Sequence, residues 1–128
     1  LVGSEMCIRD SNSTYLFCTQ NRTWSVAKGE CAQYGDSLVS IEDTNENQWL
    51  YATAVGYETT SWWIGINDLT VEDYWDWDGA YTGFTMWAPQ EPDGGTNANC
   101  GVLNQGANER WSDVSCLTST HFVCEALP

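Results

Sequence analysis

At 128 residues the chain has the length of one domain, enough to bury a core and too short for two. Its 18 acidic residues outnumber 4 basic ones, and the formal net charge of −14 argues against nucleic acid or an anionic membrane as partner, since either would be repelled over much of the surface. Cations are the expected partners, and with no apolar run near the roughly 20 residues of a membrane helix, no membrane insertion is expected.

In chain order, Leu1 to Asp10 (LVGSEMCIRD) resembles the conceptual translation of a sequencing adapter, so residues 1–11 are set aside as a non-native leader and 12–128 are read as the domain. Two acceptor triplets for N-glycosylation follow, Asn12-Ser13-Thr14 and Asn21-Arg22-Thr23. Trp24, Ala27, Cys31 and Tyr34 recur at helical spacing, with Thr23 as N-cap and Gly35 as stop, predicting an amphipathic helix of about three turns. After the apolar run Leu38 to Ile41, a second helix starts at Asp43 or Thr44, places Trp49, Leu50 and Ala54 on one side, and ends near Gly56. Strand-like runs then occupy Trp62 to Ile66, Tyr74 to Trp77, Cys100 to Leu103, Arg110 to Trp111 and His121 to Cys124. Gly, Asn, Asp and Pro separate them, and the loop from Asp78 to Asn99 is long for a compact domain, which marks it as functional. Two helices followed by short strands define an α+β fold.

Six cysteines beside one histidine, without Cys-x-x-Cys, fit a disulfide-stapled secreted domain better than a zinc site. Eight tryptophans read mainly as core packing, with an aromatic face left for ligand stacking, Trp87 inward and Tyr81 or Trp75 outward. Lys28 and Arg110 bracket a stretch with no Lys or Arg in which Asp68, Glu72, Asp73, Asp76, Asp78, Glu91 and Asp93 accumulate. Converging, these carboxylates would make a cation site.

The ordered set Trp24-x-x-Ala27-x-x-x-Cys31, Gly35-x-x-Leu38-Val39-Ser40-Ile41, Trp63-Ile64-Gly65-Ile66-Asn67-Asp68, Trp87, Glu91-Pro92-Asp93, Cys100, Trp111-Ser112-Asp113, Cys116 and Phe122-Val123-Cys124-Glu125 resembles the C-type lectin-like domain. The resemblance spans about Tyr15 to Glu125. It implies two helices packed on small, mostly antiparallel sheets with a long calcium-binding loop region. It also implies disulfides Cys31 to Cys124 and Cys100 to Cys116, worth about 4 to 5 and about 3 kcal/mol in a loop-entropy model. Cys7 could pair with Cys18 by distance along the chain, although Cys18 does not match the N-terminal bridge of long-form members.

By the same resemblance, the Glu-Pro-Asp loop and the Trp-Ser-Asp strand form a Ca²⁺ site that holds sugar hydroxyls, with a cis Glu91–Pro92 bond. Glu91, Asp93, Asn97, Ser112 and Asp113 are the expected ligands of both ion and sugar. Asp68, Glu72 and Asn99 match an auxiliary calcium position. Oxygen ligands that leave part of the coordination sphere open suit this chemistry independently. The departures weaken it: mannose-type members carry Glu-Pro-Asn and galactose-type members Gln-Pro-Asp, whereas both acids here are carboxylates and lack the amide donor. Ser112 replaces an Asn, and Gly94 and Ala98 replace acids, so the donor must come from Asn97, Asn99 or Ser112, and calcium binding weaker than in a full-motif lectin is expected.

The expected function is a secreted, Ca²⁺-dependent carbohydrate-binding module for glycans or glycoconjugates, with millimolar single-site affinity reinforced in an oligomer or tandem array. The alternative is the same fold turned to a protein, lipid or ice surface without calcium. An enzyme is not expected: Glu91 and Asp93 share one turn and do not flank a scissile bond, and His121 is the sole imidazole, without Gly-x-Ser-x-Gly.

Overall fold

Helix α1 (Trp24–Gln33) begins where Thr23 leaves the extended region, at φ −71° and ψ 164°. The Thr23 hydroxyl makes no capping bond; the Cys116 carbonyl instead accepts from Trp24 N at 3.1 Å, satisfying one orphan amide of the first turn. Trp24, Ala27 and Cys31 face inward, and Gly35 at φ +80° turns the chain out of the helix. The structure is a computed structural model that describes residues 7–10, 14–103 and 108–126. Helix α2 (Thr44–Tyr57) starts at Asp43, whose carboxylate accepts from Glu46 N at 2.8 Å, and it buries Asn47, Leu50 and Ala54.

The strands are β1 (Cys7–Arg9), β2 (Tyr15–Arg22), β3 (Asp36–Leu38), β4 (Trp62–Val71), β5 (Tyr74–Trp77), β6 (Cys100–Leu103), β7 (Trp111–Val114) and β8 (Thr120–Ala126). They hydrogen-bond in one array in the order β1-β2-β8-β4-β6-β7, with β3 on β8 and β5 on β4. Every pairing is antiparallel except β4 with β8, where Trp62 lies beside His121. The fold is the expected α+β arrangement, two helices on a mostly antiparallel sheet.

Buried side chains form two cores. One centres on Phe17, Ile41, Leu50, Trp62 and Trp111, the other on Trp24, Cys31, Leu38, Trp63 and Phe122. Of the tryptophans, Trp62, Trp63 and Trp111 are fully buried, while Trp49 is exposed on α2. Gly65 is required where β4 crosses the chain after β3, because a Cβ there would lie 2.8 Å from the Val39 carbonyl. The disulfides Cys31–Cys124 and Cys100–Cys116 form as the resemblance implied, joining α1 to β8 and β6 to the turn after β7. Cys7–Cys18 also forms, across the β1–β2 ladder where those residues are register partners.

Candidate functional site

Strand β7 is the fixed half of the site. Its first residue, Trp111, is clamped edge-on by Trp77, Phe84 and Trp87 at ring separations of 5.4, 5.9 and 5.8 Å. Its indole N–H donates to Asn47 Oδ1 at 2.8 Å, and Asn47 Nδ2 donates to the Glu109 carbonyl at 2.8 Å. Buried Asn47 thus latches α2 to the start of β7. Sequence reasoning missed it: an Asn among helix residues carries no pattern beyond its place three residues before Leu50 on the inward face.

The long loop reaches β7 through a backbone bridge: Ala88 N donates to the Trp111 carbonyl at 2.9 Å and Trp111 N to the Met86 carbonyl at 2.8 Å. Beyond it, Glu91 N donates to Ala88 O at 2.9 Å, and the Glu91–Pro92 bond is cis. The chain then folds over Asp113, whose two carboxylate oxygens accept from Asp93 N at 3.0 Å and Gly94 N at 2.9 Å. Asp113 N donates to Glu91 Oε1 at 3.2 Å. Carboxylate oxygens of Glu91, Asp93 and Asp113 all lie within 4.8 Å of one another.

Gly94 and Ala98, which stand where the resemblance expects acids, face each other. A Cβ on Gly94 would overlap the Ala98 Cβ and lie 3.1 Å from Asp113 Oδ2. Their small size lets the loop close far enough for backbone amides to reach Asp113. Burial pushes the Asp113 carboxyl up, but the hydrogen bond with Glu91 and then those from the backbone amides outweigh it and hold the carboxyl below its usual range. Burial first, then the hydrogen bond and charge of Asp113 and the charge of Asp93, push Glu91 up to about 7, against the lowering effect of the Asp113 amide.

Of the remaining expected ligands, Asn97 ends the exposed turn Gly95–Asn97 and donates its amide to Gly94 O at 3.1 Å. Ser112 is buried in β7, paired with Val102. The hydrogen bonds that tie the carboxylate cluster together involve neither side chain.

A second acidic group lies at the β4–β5 hairpin. Oxygens of Asp68, Glu72 and Asp73 also fall within 4.8 Å of one another. Asp73, at φ 67°, donates its amide to Asp68 Oδ2 at 2.8 Å, and Asp68 N donates to the Asn99 carbonyl at 3.0 Å. Asp68 Oδ1 and Asn99 Oδ1 are buried and have no hydrogen-bond partner. The expected Asp68, Glu72 and Asn99 are therefore neighbours through Asp68, and Asp73 joins them. The adjacent Glu72-Asp73 pair at a turn was the signal for it.

The aromatic candidates separate. Trp75 packs against Trp87 with rings 4.8 Å apart, both half-buried. Tyr81 is 66% exposed and lines a cavity of about 590 Å³ with Ser37, Ser40, Glu42 and Glu125, among which no member of the Glu91 cluster appears.

Two helices on this sheet, the three disulfides, and a long loop sewn to a Trp-Ser-Asp strand define a C-type lectin fold. The family described as the lectin C-type domain matches residues 20–126, and the chain belongs to it. It is 31% identical over 120 residues to human C-type mannose receptor 2, covering 92% of this chain and 8% of that one. It is 31% identical to perlucin from Haliotis laevigata, covering 91% of this chain and 78% of that one. The chain thus spans a small part of the receptor and most of perlucin. Among solved structures, the C-type lectin CEL-I from Cucumaria echinata superposes with a TM-score of 0.79 at 27% identity over 86% of each chain. A Ca²⁺-dependent type II antifreeze protein in its Ca²⁺-free form gives a TM-score of 0.75 at 29% identity over 86% of this chain and 88% of that one.

Proposed function

We propose that this chain is a secreted calcium-dependent carbohydrate-binding module that turns nothing over. The observation that carries the reading is the convergence of Glu91, Asp93 and Asp113, from two separate segments, with oxygens within 4.8 Å of one another. Among the described residues no ion pair offsets them, since the three recorded pairs are Arg9–Asp36, Arg22–Glu30 and Lys28–Asp78. An all-oxygen, hard donor set suits calcium. Each Asp113 oxygen keeps a lone pair after accepting its backbone N–H. Glu91, Asp93 and Asp113 would hold the ion, with Asn97, Asn99 and Ser112 as nearby sources of amide or hydroxyl groups toward a sugar. When bound, calcium offers open positions to a vicinal diol. Asp68, Glu72, Asp73 and Asn99 are the proposed auxiliary position, supported by the two buried oxygens without partners. The lectin identity of CEL-I, a structural neighbour, adds support, and the Cys31–Cys124 and Cys100–Cys116 disulfides support an oxidising, extracellular setting.

One observation favours the calcium-independent alternative: the loop is already closed over Asp113 by the Asp93 and Gly94 amides. Retention on mannose, galactose or fucose resin separates the two. The proposal expects retention in calcium and release by EDTA. Retention that survives EDTA, or none on any resin, would sink it.

A further inference from the structure

We propose that Asn21 carries an N-linked oligosaccharide. The inference rests on the secretory setting proposed above and is independent of the calcium reading. Asn21-Arg22-Thr23 is an acceptor triplet with no proline at its centre. It falls at the end of β2, where the β2–β8 register breaks between Cys18 and Arg22, so Asn21 is released from the ladder just before Arg22 pairs with Thr120. Its neighbours turn inward: Gln20 is buried, and Arg22 Nε bonds Glu30 at 2.6 Å. Asn21 itself is exposed, and its one recorded hydrogen bond is at the backbone, its carbonyl accepting from Arg22 Nη1 at 2.9 Å. The next carbonyl, of Arg22, accepts from the Trp63 indole at 2.8 Å. The backbone is therefore pinned by inward contacts, while the exposed Asn21 side chain makes no hydrogen bond to the described residues. Thr23 serves α1 through its backbone, and its hydroxyl makes no capping bond.

A bulky, solubilising glycan thus displaces no contact. It also leaves the carboxylate cluster clear: β2 and β7 are separated by β8, β4 and β6, about 19 Å along the sheet at ordinary strand spacing. In the transfer, the Asn21 side-chain nitrogen bonds to the anomeric carbon of an oligosaccharide carried on a lipid diphosphate. The bond from that carbon to the diphosphate oxygen breaks, the diphosphate leaves with the electron pair, and the amide loses one proton.

The test is to express the full chain in the secretory pathway of cultured animal cells and map peptides after peptide-N-glycosidase digestion in heavy-oxygen water. The expected result is recovery of residue 21 as heavy-oxygen-labelled Asp. Asn21→Gln and Thr23→Ala should lose the label and the accompanying gel shift, while Thr23→Ser keeps both. Mapping by peptide keeps residue 21 distinct from the triplet at Asn12, and the cell-retained pool is mapped in the same way if little is secreted. Disulfide-bonded chain with unmodified Asn21 would overturn the proposal, whether or not that chain binds calcium.

Discussion

Asp113 is held in place by what is absent at positions 94 and 98. Any side chain on Gly94 would strike Ala98, so the loop comes close enough for two amides to satisfy one carboxylate. Each is a charge-assisted bond of the stronger kind. With Asp113→Ala, the amides of Asp93 and Gly94 should exchange hydrogen at least about tenfold faster without calcium, because losing a bond to a charged group costs about 1.5 kcal/mol or more. Unchanged exchange would mean that the loop is not held this way in solution. Much of this site was legible: Glu91, Asp93 and Asp113 sit in tripeptides whose order along the chain resembles the family. The self-capping was not, because backbone amides leave no mark in composition. Motif position also named Asn97 and Ser112, whose side chains take no part in the hydrogen bonds that tie the cluster together.

Between elements, one polar residue does the joining. Asn47 satisfies both the Trp111 indole and the Glu109 carbonyl, so α2 fixes the strand that carries Asp113. Asn47→Leu fills similar space but strands both groups, and should cost about 2 to 4 kcal/mol in chemical denaturation. A loss below about 0.5 kcal/mol would show that water or rearrangement replaces the latch. The elements themselves were readable where local signals are strong. Thr23, Gly35 and Asp43 mark helix ends at the expected positions. The short β3 (Asp36–Leu38) has no strand signal of its own in the sequence, because its pairing with β8 is a long-range contact.

Glu125 on β8 gives a second test at this scale. Burial, then the charges of Glu46, Glu42 and Asp36, push its carboxyl up to about 7 despite the bond it accepts from Ser40 N at 3.0 Å. A folded value above the ordinary 4.5 means that the folded chain binds more protons between those values. Its stability contribution is complete below the lower value and is lost as pH rises through about 7. Glu125→Gln should therefore reduce the fall in Tm between about pH 5 and about pH 8. An equal fall in parent and variant would assign the pH dependence elsewhere.

Across the whole molecule, charge and covalent staples divide the work. The three disulfides bridge β1 to β2, α1 to β8, and β6 to the turn after β7, so α1, the sheet and the turn after β7 are tied covalently. The net charge of −14 is left largely on the surface, with acids concentrated between Lys28 and Arg110. The two acidic clusters are where the proposed cation would gather. The decisive measurement is calorimetric titration of calcium into the chain and into Asp93→Ala, followed by mannose, galactose and fucose. The account predicts that Asp93→Ala loses the saturable calcium binding of the Glu91 cluster and keeps only what the Asp68 cluster binds, and that sugar heat appears in the parent only when calcium is present. No calcium binding at millimolar concentration, or sugar binding that persists in EDTA, would contradict it.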